Sequence, residues 1–159
     1  MKSFRLSSSD VSRVYDGDTF FIKVDTRPNF AEEIGVRIIG VDTPEMCGVT
    51  AKERRWAIEA RDYLERRINK SRKMDFLSKS KKFRFSHGRI LAVVKIDGRD
   101  IAQDIIDEGL GRKNHGEKRD GWTSRPKRKV KVLKGWSRKW VFVATSAVLA
   151  VAVMIWANY

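Results

Sequence analysis

A chain of 159 residues with one cysteine and a formal net charge of +14 has room for one ordinary domain and an appendage, with no intrachain disulfide to brace it. The charge is uneven: eight Lys or Arg and no acid lie from Arg125 to Lys139, and no charged side chain follows, leaving 26 basic against 20 acidic side chains in residues 1–124. A moderately basic domain suits a polyanionic partner, because Lys and Arg release counterions from a phosphate backbone, although the same excess also serves solubility.

Residues 1–10, MKSFRLSSSD, read as a polar lead-in without the apolar run of an export signal. In VYDGDTFFIKV, residues 14–24, Phe20, Phe21, Ile22 and Val24 predict a strand, whereas Asp16 and Asp18 around Gly17 do not belong in one. Asp-Gly is a common hairpin signal, since glycine tolerates positive φ and aspartate bonds its own backbone. A metal or phosphate site at the edge of a small barrel is the other reading. VRIIGVDTPE, residues 36–45, has the same mixture: Val36, Ile38 and Val41 are strand material, Arg37 interrupts them, and Asp42 and Glu45 end the run. Pro44 forbids a continued ladder, and a tight turn there lets Asp42, the Thr43 carbonyl and Glu45 converge.

A helix begins at Thr50, which makes a capping box with Glu53, and Ala57, Ala60, Leu64 and Ile68 recur at helical spacing. The arginines at 54, 55, 61, 66 and 67 read as a solvated face. KMDFLS, KFRF and RILAVVKI supply further strands, the last opened by Arg89. IAQDIIDEGL predicts a short helix with Asp100 as its cap and Gly109 as its left-handed end. Strands, a helix between strands and a terminal helix make an α+β domain whose sheet is small enough to close as a barrel. Cys47, His87 and His115 invite a zinc reading, but their spacing is irregular and a fourth ligand is missing.

Residues 125–139 form a basic linker, and Trp140 to Ala157 run 18 residues without a charge. As a helix this run is about 27 Å long at about 1.5 Å per residue, close to the ~30 Å of a bilayer core. Trp136 and Trp140 at one end and Trp156 and Tyr159 at the other suit the two interfaces. The expectation is a tail-anchored protein spanning the bilayer once, with residues 11–124 on the cytoplasmic side by the positive-inside rule and the linker near anionic headgroups.

DGDTF, VRIIGVDTPE, HGRILA and DIIDEGL, in this order and at these separations, resemble the thermonuclease (staphylococcal nuclease-like) family over roughly residues 10–122. The resemblance implies a five-stranded OB-fold β-barrel with about three helices, to which this chain adds the transmembrane helix. It also implies a calcium-dependent nuclease, with one Ca2+ per domain, acting on DNA and/or RNA. By that resemblance Asp18 and Asp42 are direct metal ligands, the Thr43 carbonyl is a backbone ligand, and Asp16 is an outer-shell carboxylate. Glu45 is the residue that orients or deprotonates the attacking water, and Arg37 and Arg89 grip the scissile phosphate. The residue types suit that chemistry: hard oxygen donors favour calcium over zinc, and planar guanidinium forks bond phosphate oxygens bidentately.

The chain departs from the family in three places. The loop from Glu45 to the helix is short, and His87 stands where the best-known member has a tyrosine near the nucleotide phosphate. The segment after the second helix lacks that member's base-stacking tyrosines, which leaves His115 or Trp122 to stack. The competing expectation is a non-catalytic OB module that binds nucleic acid at the membrane. Such a module is expected to lose acids or arginines of the site, and here all of them are present.

Overall fold

The computed structural model describes residues 3–27, 30–77, 84–86, 89–114 and 121–129. Along them run β1 (Ser3–Leu6), β2 (Val11–Val14), β3 (Thr19–Arg27), β4 (Phe30–Ile38), β5 (Val41–Asp42), α1 (Ala51–Asn69), β6 (Met74–Leu77), β7 (Arg84–Ser86), β8 (Arg89–Ile96), β9 (Arg99–Asp100), α2 (Ile101–Asp107) and β10 (Arg112–Lys113). The fold is mixed α+β, and the main sheet has the order β1-β6-β8-β4-β3-β2, with β7 and β9 also pairing β8. Among the described residues only the β4–β8 pairing is parallel.

The two edge strands of this order, β1 and β2, are consecutive in the chain. They are joined by a 3-10 turn at Ser8–Asp10, in which the Ser7 amide and hydroxyl both donate to Asp10 Oδ2 at 2.8 and 3.0 Å. One short stretch therefore supplies both edges, and the sheet must curl to meet it. The N-terminal segment is thus part of the sheet rather than a lead-in. Phe4 and Leu6 point one way by strand alternation, and Phe4 stacks on Phe76 with ring centroids 4.9 Å apart.

Alternation also builds the core. In β8, Ile90, Ala92, Val94 and Ile96 are buried and their neighbours are not, as a sheet covered on one face requires. Phe20 and Phe76 meet edge to face at 5.8 Å beneath them. α1 lays Ala57, Ala60, Leu64 and Ile68 onto the core; its cap is Thr50, whose hydroxyl accepts from the Glu53 amide at 3.2 Å. α2 starts where Asp100 accepts from the Ala102 amide at 3.0 Å and is followed by Gly109 at φ +68°.

Among the described residues there are two α-helices where about three were expected. Residues 121–129, with Pro126 among them, run irregularly and are tied down by Arg125–Glu59 (2.7 Å), Arg128–Glu108 (2.7 Å) and Lys129–Asp107 (3.3 Å). The compact unit accordingly runs to Lys129. The apolar run 140–157 lies outside the described residues, and among those no helix is long and apolar enough to cross a membrane.

Phe76 is fully buried and touches both Phe4 and Phe20. Phe76→Ala should therefore lower the unfolding free energy in urea titration by about 3–5 kcal/mol, the usual cost of emptying a buried aromatic site.

Candidate active site

The site begins with a turn that has no room for a side chain. Between β2 and β3 the Tyr15 and Asp16 amides both donate to the Thr19 carbonyl, at 2.9 and 3.3 Å. Asp16 Oδ1 accepts from the Asp18 amide at 3.0 Å, the aspartate turn expected of this dipeptide. A Cβ on Gly17 would lie 2.6 Å from Ala60 Cβ on α1 and 2.8 Å from Thr43 Cγ2. The turn is thus pressed between helix and loop, and its carboxylates are carried inside: Asp16 is 3 % exposed and Asp18 1 %.

Strand register brings the other groups to it. Thr19 pairs Arg37 across β3 and β4, and Arg37 Nη2 donates to Asp18 Oδ2 at 2.7 Å. Thr19 Oγ1 donates to the other Asp18 oxygen at 2.8 Å. After a turn at Gly40 (φ +97°), β5 presents Asp42, whose Oδ1 lies 3.9 Å from the same Arg37 nitrogen. Asp18 and Asp42 therefore face one guanidinium, the first from a turn and the second from a strand. Thr43 is buried beside them, and its Oγ1 has no hydrogen bond.

Arg89 opens β8 opposite Gly35 of β4. Its stem lies over Gly35, where a Cβ would come within 2.8 Å of Arg89 Cγ. Gly35 and Arg37 are two residues apart on one strand, so the stems of Arg37 and Arg89 leave the same sheet face. Glu45 is half-buried and lines a cleft of about 540 Å³ with Asp42, Thr43, Val49, Glu53 and Trp122. His87 and His115 lie outside the described residues. Cys47 is exposed.

Burial and crowding set the electrostatics. Burial, and then the neighbouring Asp16 carboxylate, push the Asp18 carboxyl up to about 7 against the pull of Arg37. Burial likewise raises Asp42, opposed chiefly by Arg112. Among the described residues no three His, Cys, Asp or Glu side chains are gathered as a ready-made metal-ligand cluster. The donors that do converge are all oxygens, held where negative charge is under-compensated, and that suits a hard divalent cation better than zinc.

Arg112 had no distinguishing signal in the sequence. β10 pairs β5 so that Arg112 faces Asp42, and its Nε donates to Asp42 Oδ2 at 3.0 Å. Its guanidinium lies over the Trp122 ring at 4.6 Å. Only the tertiary pairing of two 2-residue strands reveals it.

Buried acids beside two arginine stems at one end of a curled sheet define a class of site able to take an anionic phosphate together with a cation. A family model described as staphylococcal nuclease homologue matches residues 35–129, and the chain belongs to that family. It is also 31 % identical over 102 residues to a thermonuclease of Staphylococcus hyicus; the match covers 64 % of this chain and 56 % of that protein. The family match includes Arg37, Asp42, Thr43, Glu45 and Arg89 and begins after the Asp16–Gly17–Asp18 turn, which the fold packs against Thr43.

In the fold Asp18 keeps its proton up to about pH 7, whereas a free aspartate loses it near 3.8. Between these values the folded state binds the extra proton, so the contribution of Asp18 to stability is fully present below the lower value and is lost as pH rises through the upper one. In divalent-free buffer Tm should fall from about pH 5 to about pH 8, and Asp18→Asn, which cannot ionise, should flatten that fall and melt above wild type at the higher pH. Thermal melts of the two proteins across this range check it.

Proposed function

We propose that the chain is a calcium-dependent nuclease that hydrolyses phosphodiester bonds of DNA and/or RNA. The observation that carries this reading is the convergence of Asp18 and Asp42 on Arg37, with Thr43 buried against the turn. On this reading Asp18, Asp42 and the Thr43 carbonyl hold one Ca2+, and Asp16 supports them from the outer shell. Bound there, the ion would offset charge that builds on the phosphate oxygens during attack. Arg37 and Arg89 bond the non-bridging oxygens from one sheet face, where planar forks give both geometry and charge. Glu45, half-exposed in the cleft, takes the proton of the attacking water as its oxygen bonds phosphorus and the bond to the leaving oxygen breaks. Trp122 offers a stacking face for a base, and His87 and His115 are assigned to the substrate as well.

The sheet fits a five-stranded OB-type barrel if β1 and β2 are counted as one broken strand beside β3, β4, β8 and β6. The uncharged run 140–157 supports a single membrane span, and the basic residues before it support a cytoplasmic nuclease domain. Alkaline phosphatase fused after Tyr159 should then be active, and a cytoplasmic reporter there silent; the opposite pattern would reverse the topology.

The enzymatic reading is tested by cleavage of single-stranded DNA, duplex DNA and RNA with Ca2+, Mg2+ or chelator. Ca2+-dependent cutting is expected, reduced by about 10²–10³ in Glu45→Gln or Arg37→Gln, on the scale of losing one preorganised transition-state contact. Protein that binds these nucleic acids tightly and never cuts them would instead be the non-catalytic module.

A further inference from the structure

We propose that Arg112 is a positioning residue for Asp42, fixing the outer carboxylate oxygen so that the inner one is presented toward Asp18. The inference rests on the calcium reading and adds a residue to it.

The pairing is built rather than incidental. Gly111 lets β10 approach β5 closely: a Cβ there would lie 2.6 Å from Val41 Cγ2 and 3.0 Å from the Asp42 carbonyl. Lys113 opposite Val41, and the Asn114 amide, which donates to the Gly40 carbonyl at 3.2 Å, continue the β10–β5 register toward the Gly40 turn. That register puts Arg112 directly opposite Asp42, and Trp122 lies under its guanidinium.

An aspartate's terminal torsion is soft and nearly two-fold, so without a fixed partner either oxygen could face inward. Asp42 is only 2 % exposed, which leaves little solvent to orient it. Arg112 Nε bonds Oδ2 at 3.0 Å, while Oδ1 is turned to Arg37 Nη2 at 3.9 Å and hence to the side where Asp18 lies. Arg112 also carries a positive charge, which by itself would oppose a cation. Its side chain is 34 % exposed and therefore screened, and it acts on the oxygen turned away from Asp18. Orientation outweighs repulsion, as for other outer groups that hold metal-binding carboxylates.

The test is calorimetric titration of the full-length chain with CaCl2, without nucleic acid, for wild type, Arg112→Gln and Arg112→Lys. Arg112→Gln should weaken Ca2+ binding by about 10–100-fold, and Arg112→Lys, which keeps a donor, should recover part of the loss. The Ca2+ concentration giving half-maximal cleavage should shift in parallel, with kcat at saturating Ca2+ near the wild-type value and Tm in chelator little changed. Unchanged or tighter Ca2+ binding by Arg112→Gln overturns the assignment. So does a loss that accompanies a collapsed Tm and is not relieved by lysine, because that marks a purely structural role. Wild-type protein that takes up no Ca2+ overturns the calcium reading together with this one, whereas normal wild-type binding with an unaffected Arg112→Gln overturns this one alone.

Discussion

At residue 17 three separate parts of the chain come so close that a single methyl group could not be placed among them. The Asp16–Asp18 turn, the end of β5 and the middle of α1 meet there, with Ala60 and Thr43 occupying the space a Cβ would need. This contact determines where the acidic groups lie. Had the turn stood one side-chain radius further out, Asp18 would meet water instead of Arg37, and Thr43 would no longer back it. Glycine serves here for its size; its backbone freedom is not what the contact requires.

The same closeness has an electrostatic cost that the fold does not fully offset. Asp16, Asp18 and Asp42 are all buried, and Asp18 remains partly protonated near neutrality despite its bond to Arg37. A site optimised for the stability of the bare protein would replace one acid with a neutral or apolar group. Its retention fits the common pattern in which strained electrostatics mark functional positions. Of these three acids the family match spans Asp42, and it begins after Asp16 and Asp18.

Much of this was legible from local pattern. The alternation of RILAVVKI gave β8, the Thr50 cap and the 3.6-residue spacing gave α1, and Asp100 and Gly109 bounded α2. Asp16, Asp18 and Asp42 stood out as carboxylates beside apolar strands, but the residues alone left a plain turn open, and it was the family resemblance that proposed them as a site. β1 was not: Ser-Phe-Arg-Leu is four residues long, and what makes it a strand is β6, which pairs Arg5 with Asp75. Arg112 was hidden among 34 Lys and Arg, since its meaning comes from an aspartate on another element. Nor did helical periodicity show that Glu53, besides following the cap, would line the cleft.

The ladders at the two ends of the fold join residues far apart in sequence: Arg5 reaches Asp75 and Arg112 reaches Asp42, each across 70 positions. Long closures of this kind form late, because chain entropy is lost before the contact returns anything. During synthesis β1 has no partner until β6 has emerged, and Asp42 lacks Arg112 until α2 and β10 follow. A growing chain therefore carries the acids of the candidate site well before it carries Arg112 on β10 and Trp122 beyond it.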